Sequence, residues 1–520
     1  MSPLIVCTET YTRGDTMDLT VKRSGIACCE KIFEYSMPVE EASETVVPDV
    51  MPDADRILCA DGAVVIRSKD VSDGRVSVAG TVLATVLYAP DGESGICTLG
   101  ATVPINVEVD APEVTNESLA VAMMTVGSVE ARLMNPRKIL VRAVVNVSIE
   151  CYKCTELDIS TGLEGEGSES VETLCESATI SPVVCVKEKT FVVSDEYRLQ
   201  PGLLPIGAVL WHSAEIIPGN VRSVGSRLVF NGTVRLAVLY EAAGSSELCS
   251  ANFETEFSQM LDAETDLSSP DCTVSSMLTA EYVEVVTLTG GEKGISAEFH
   301  LVSQCVCTDS VRVQCLTDCY SNAGELNIGR SQTDMSCVQR RSTVRASIHE
   351  TLPASPQPVN ICRVICRTGA VESEGGMLCC PVSVTAIYTA SDGAVYSVSR
   401  RLTCEAPSEL GEGEYAASVR SSCAECGWTL SQGGIDVRVA LDFELVSARR
   451  TTFSQITIVE SAGDVQEKDW PSIVVIRASD TDSLWVLGKR YHSTSALISD
   501  MNGLEDGESL AGKVLLIPRG

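Results

Sequence analysis

Cysteine offers the most chemistry in this sequence, with 23 copies in 520 residues. Two pairs have metal-ligand or redox spacing, Cys151-Tyr-Lys-Cys154 and Cys423-Ala-Glu-Cys426, and a further group gathers Cys305, Cys307, Cys315 and Cys319. A structural zinc site needs four thiolate or imidazole ligands around one point. The two CxxC pairs lie far apart in the chain and at non-equivalent places in its repeats, so a shared site requires the fold to bring them together. On an extended strand Cys305 and Cys307 share one face. The odd count, the chain length and an N-terminus without a basic segment and apolar run predict reduced thiols, many acting as small buried hydrophobes. No metal and no cofactor is expected.

Acid-base and nucleophilic chemistry have less support. The four histidines, His212, His300, His349 and His492, lie beside no nucleophile signature, and no G-x-S-x-G, phosphate loop or H-E-x-x-H pattern occurs. Glu164 and Glu166 sit in an acidic, glycine-rich run that reads as solvated charge. The chain is expected not to be an enzyme.

The elements around these residues are repetitive. Arg75 to Tyr88 reads RVSVAGTVLATVLY, Arg227 to Tyr240 reads RLVFNGTVRLAVLY, and Met377 to Tyr388 reads MLCCPVSVTAIY. In each, every second residue is small or apolar, which is the period of a half-buried strand, and a turn signal follows the tyrosine. A second alternating strand recurs downstream in all three copies: Ile139 to Cys151, Ile295 to Cys305 and Ile435 to Leu445. About 150 residues separate the copies, too many for a stacked solenoid, so each copy predicts its own antiparallel, sandwich-like domain. The expected organisation is a first β domain at 1–155, an acidic Gly/Ser linker at 156–180, a second β domain at 181–310, a linker at 311–340, a third β domain at 341–455, a linker at 456–472 and a distinct unit at 473–520. The net charge of −32 repels phosphate backbones and anionic headgroups, which disfavours nucleic acid as a partner. Nowhere do 18 consecutive apolar residues predict a spanning helix.

The last unit differs in pattern. Ile473 to Ile476 is a short strand, and Asp482 or Ser483 caps a helix carrying Leu484, Leu487, Gly488 and Tyr491. Ser493-Thr494 opens a second helix that stops at Asn502-Gly503, and Val514 to Pro518 is a closing strand. The run D-S-L-W-x-x-x-K-R-Y, then I-x-x-x-N-x-L and G-x-x-L-x-I-P, resembles a LysM domain over Ile473 to Gly520. Thr481 stands where that family usually opens its first turn with glycine, and Leu487-Gly488 stands for its usual Ile-Ala. The resemblance implies a binding surface from Asp482, Ser483, Leu484 and Trp485 in the first loop and from Asn502, Gly503 and Leu504 in the second.

The phrase ARLMNPRKILVRAVVNVSIE (Ala131 to Glu150), with the G-x-V-x-x-x-V-L-Y strand before a hairpin, resembles the SPOCS domain family, formerly a domain of unknown function. That family occurs in clostridial proteins that end in a LysM domain and organise the spore coat. The fold implied is mainly β, with three tandem antiparallel sandwich-like domains followed by a small β-α-α-β LysM domain. The function implied is a non-enzymatic scaffold of spore coat assembly in the mother-cell cytoplasm, at the surface of the developing spore. Its partner would be a coat-basement protein, a stage IV sporulation protein A-like ATPase, bound through the LysM domain. The alternative reading is a protein of the cell or spore envelope that binds peptidoglycan or N-acetylglucosamine oligomers.

Overall fold

A computed structural model describes residues 18–520 apart from 93–94, 167, 265–266, 268–269, 323, 465–470, 506 and 520. The N-terminal stretch read for an export signal, including Cys7, lies outside the described residues.

Each copy builds the same unit of six long strands, to which the third adds one short strand. The first runs β1 (Asp18–Val46), β2 (Ala54–Ser72), β3 (Arg75–Pro90), β4 (Cys97–Asp110), β5 (Leu119–Asn135) and β6 (Lys138–Glu166). After a 3-10 turn at Ser168–Ser170 and β7 (Val171–Ile180), the second runs β8 (Val183–Tyr197), β9 (Ile206–Val224), β10 (Arg227–Ala242), β11 (Leu248–Asp262), β12 (Pro270–Thr287) and β13 (Lys293–Asp309), with β14 (Val311–Ser321) after it. The third runs β15 (Gly324–Pro353), β16 (Pro358–Thr368), a short β17 (Glu372–Glu374), β18 (Met377–Ala390), β19 (Val395–Pro407), β20 (Glu414–Ser431) and β21 (Gly434–Asp464). The tail is β22 (Ile473–Arg477), α1 (Leu484–Tyr491), α2 (Ser495–Asn502) and β23 (Val514–Pro518).

Within a copy, three antiparallel strands form a meander (β2-β3-β4, β9-β10-β11, and β16-β18-β19 with the short β17 also on β18), and three others set the last strand between the first and the fifth long one (β1-β6-β5, β8-β13-β12, β15-β21-β20). Single-residue pairings of β1 with β8 and of β2 with β12 join both sets of the first copy and the latter set of the second into one nine-stranded sheet. The two sheets of each copy face each other across a valine-rich core. The alternating residues read from the sequence line that core. Ile139 through Cys151, Ile295 through Leu301 and Ile435 through Leu445 are all buried in phase. Tyr88, Tyr240 and Tyr388 are at most 1% exposed, and the first two donate their hydroxyls to the Pro52 and Leu204 carbonyls of the preceding loops, at 3.2 and 2.8 Å. Burying a phenol in this way requires such a partner, which explains why each strand ends in the same residue.

Gly232 leaves room for the ring of Phe257, its cross-strand partner on β11. A Cβ there would lie 2.6 Å from the Phe257 ring and 2.8 Å from the Ile217 carbonyl oxygen. Gly80, its counterpart, instead faces Met124 of β5 across the core, whereas the third copy has Cys380 there, with its sulfur 3.3 Å from Ser421 Oγ. Gly232→Ala is expected to destabilise the chain by about 1–3 kcal/mol through overpacking. Urea unfolding checks this; an unchanged midpoint would contradict it.

The copies do not behave as beads on linkers. Residues up to Glu166 of the expected 156–180 linker complete β6, paired with β1 as far as Asp18, and Val171–Ile180 forms β7, paired with β14. The expected linker at 311–340 is β14 and the first half of β15, and β21 runs on to Asp464 within 456–472. The first and last strands of the first and third sandwiches therefore leave the body as long two-stranded ribbons, and β7 with β14 supplies the matching ribbon of the second. The three ribbons pack into a stalk with its own apolar core. One layer holds Ile26, Ile159, Ile180, Val313 and Phe453, and the next holds Val21, Leu163, Leu316, Cys319, Ile328 and Ile456. Acidic composition concealed this: Leu157, Ile159 and Leu163 alternate with Glu156, Asp158 and Glu164, and only the first set turns inward.

The sandwiches also meet directly. The outer faces of the three meander sheets share a cluster containing Leu58, Leu87, Trp211, Leu239, Ile365 and Ile387. Asp61 of β2 lies beside it, 3% exposed, accepting from Nε and Nη2 of Arg367 from β16, each at 2.7 Å, and from the indole N–H of Trp211 from β9 at 3.0 Å. Arg367 also donates to Ser213 Oγ at 2.8 Å. One carboxylate thus fastens three sandwiches.

Candidate interaction site in the C-terminal unit

The tail forms the expected β-α-α-β unit: β22 pairs antiparallel with β23, and Leu487, Ile498, Leu510, Leu515 and Ile517 fill its core. The helices begin where side chains can satisfy their free N–H groups. Ser483 Oγ accepts from Val486 N at 3.2 Å and Thr494 Oγ1 from Leu497 N at 3.0 Å. They end in left-handed residues, His492 and Gly503.

Six of the seven residues expected at the binding surface hold the unit in shape. Asp482 accepts from the Ser479 N–H and hydroxyl, each at 2.8 Å, and lies 3.3 Å from Arg490. The Ser479 hydrogen bonds, with the charge of Arg490, hold its carboxyl below the usual range. Ser483 is a helix cap. Leu484 and Leu504 pack on the same core, which draws the two loops to one apolar cluster. Asn502 donates to Ile498 O and Leu516 O and accepts from Leu516 N, all within 2.8 Å, so it pins α2 to β23. Gly503, at φ 59°, supplies the helix stop.

Trp485 is different, because it docks on the stalk. Its ring meets Tyr320 of β14 edge-on with centroids 4.8 Å apart, and its indole N–H donates to Asp318 at 3.0 Å. Lys489, one turn on, places its ammonium 2.6 and 2.7 Å from the two Asp318 oxygens, and Arg330 adds a third donor at 2.7 Å. Tyr320 donates to the Ser493 carbonyl at 2.9 Å. A Cβ on Gly488 would overlap the Tyr320 hydroxyl, so the glycine that departs from the usual helix pattern is what lets the helix lie against the ribbon. Asp318 and Tyr320 were hidden in a stretch expected as a linker. A glycine in mid-helix was the available signal of a close neighbour.

The cysteine groups resolve differently from their spacing. Cys151 is buried in the first core while Cys154 is exposed, so this CxxC straddles its strand. Cys423 and Cys426 line a cavity of about 1470 Å³ between the three sandwiches, together with Cys366 of β16. Cys315 and Cys319 belong to the two layers of the stalk core, away from Cys305 and Cys307 in the second sandwich. The expectation that all thiols are reduced is corrected, since Cys272 and Cys307 face each other on β12 and β13 and form a disulfide. Histidines find carboxylate neighbours: His212 Nε2 lies 3.7 Å from Glu281, and His300 Nε2 lies 2.6 Å from Glu298.

Three interlocked antiparallel sandwiches with a small β-α-α-β tail define a mainly β, multidomain protein. Residues 53–134, from the entry to β2 through most of β5, match the family model described as SipL, SPOCS domain, and the chain carries a SPOCS domain of the SipL type there. A search of curated proteins found no match. The second and third sandwiches repeat the strand order of the matched one.

Proposed function

We propose that the chain is a non-enzymatic scaffold of spore coat assembly. It acts in the mother-cell cytoplasm at the surface of the developing spore and binds a coat-basement protein, a stage IV sporulation protein A-like ATPase, through a C-terminal LysM domain. The observation that carries this is the SPOCS match in the first sandwich, repeated in strand order twice and followed by the β-α-α-β tail. Among the described residues no helix is long and apolar enough to cross a membrane, and the charge of −32 is unsuited to nucleic acid. Val486, Leu497 and Met501 offer exposed apolar contact on the two helices, beside the docked Trp485.

The full chain and a chain ending before Ile473 serve as baits in extracts of sporulating cells. The full chain is expected to recover the ATPase and the shortened chain to lose it; equal recovery would overturn the assignment to the tail. Titration with N-acetylglucosamine oligomers addresses the envelope-binding alternative. Binding at millimolar concentration or none is expected, because the indole that would stack on a sugar is engaged with Tyr320 and Asp318. Micromolar binding would favour the alternative.

A further inference from the structure

Cysteines line up across five neighbouring strands where the first and second sandwiches join. Cys154 of β6 faces Cys29 of β1, Cys29 faces Val183 of β8, and two residues on Cys185 faces Cys307 of β13. Cys307 in turn faces and is bonded to Cys272 of β12, and Cys305 Sγ lies 3.5 Å from Cys307 Sγ. At the outer end of this row, Cys29 and Cys154 are free thiols with their sulfurs 3.6 Å apart.

We propose that Cys29 and Cys154 are a site of reversible disulfide formation, which low-molecular-weight disulfides oxidise. The two are direct partners on antiparallel strands, where Cα atoms stand about 4.5–5.5 Å apart, within the range a disulfide spans. Closing 3.6 Å to a bond of about 2.05 Å needs only small χ rotations. The neighbouring Cys28 faces Thr155 and so has no thiol opposite it. Cys154 is exposed and Cys29 half-buried. Burial and the neighbouring Cys154 push the Cys29 thiol up to about 12, and the exposed Cys154 is the one a dissolved disulfide reaches first.

The step balances as an exchange. The Cys154 thiolate attacks one sulfur of the small disulfide and expels a thiolate, forming a mixed disulfide. Cys29 then loses its proton to solvent and attacks Cys154 Sγ, expelling the second small thiolate. The protein gives up two electrons, and one small disulfide becomes two thiols. The bond falls where the β1–β6 ribbon leaves the first sandwich and enters the stalk, so it fastens that neck.

The full chain is incubated with oxidised glutathione, its remaining thiols are alkylated, and the peptides are mapped by mass spectrometry without reduction. A Cys29–Cys154 linkage is expected, with two equivalents of glutathione released and the linkage lost on adding dithiothreitol. Cys29→Ser is expected to leave a stable glutathione adduct on Cys154, and Cys154→Ser to leave Cys29 unmodified. A linkage through Cys28, a bond between two chains, a stable adduct on Cys154 of the unaltered chain, or no reaction would each overturn the proposal. The unaltered chain decides the question even where a variant fails to fold.

Discussion

Asp61→Asn is expected to cost the three-sandwich body about 3–5 kcal/mol, the range for leaving one partner of a buried ion pair alone. The carboxylate is 5% exposed at its side chain, and the Arg367 guanidinium at 25%. Asparagine keeps the shape and can still accept from Trp211 Nε1, so the loss isolates the charge. Burial opposes the charged form of Arg367, and Asp61 reverses that, raising its pKa above the ordinary value. With Asp61 neutralised, the guanidinium keeps its charge and loses its compensation. Chemical denaturation measures the change. The double replacement Asp61→Leu with Arg367→Met is expected to regain most of it, because the surrounding cluster of Leu58, Leu87, Leu239 and Ile387 is apolar. A single-variant loss under about 1 kcal/mol would show that apolar contact alone holds the junction.

Asp318→Asn is expected to release the tail from the stalk, with about 2–4 kcal/mol of docking lost. Its side chain is 19% exposed and gathers donors from Trp485, Lys489 and Arg330. Burial alone would raise the Asp318 carboxyl. The hydrogen bonds from Lys489 and Trp485 and the nearby cations outweigh it and hold the group below its usual value of 3.8. A carboxylate whose folded pKa is depressed stabilises above its unfolded pKa, and that contribution is lost as pH falls through the folded pKa. Docking is therefore expected to be constant around neutrality and to weaken only below about pH 4. Hydrogen exchange over Leu484–Tyr491 reads both effects, with the sandwich cores as internal reference. Protection unchanged in Asp318→Asn would place the anchoring energy in the Trp485–Tyr320 contact instead.

The cores were legible because period two is an unambiguous signal when one face is buried: Val76 to Tyr88 and Ile139 to Cys151 announce strand, phase and facing together. The tail was legible because Ser483, Thr494 and Gly503 are local stop and start signals. What escaped is tertiary. The stalk strands carry too few apolar residues to outweigh their acids, as at Leu157, Ile159 and Leu163, and they become strands because two other ribbons cover that face. The Cys272–Cys307 bond depends on strand register, which spacing along one strand cannot reveal. Trp485 shows both sides of this. The resemblance placed it on a surface for a partner or glycan, and only the fold shows that its ring and N–H are held by Tyr320 and Asp318 of the same chain.

The stalk also imposes an order of birth on the molecule. Its core needs Val21 from the first strand and Ile456 from the last long one, so a chain emerging from the ribosome can close its first two sandwiches yet must carry the apolar faces of Leu163 and Leu316 uncovered until β21 has been made. Premature termination anywhere in the third copy would leave those faces permanently bare. Only a complete body closes this seam, whereas the ribbon that carries Asp318 and Tyr320, β14 on β7, is encoded before the third copy begins and gains only Arg330 from it.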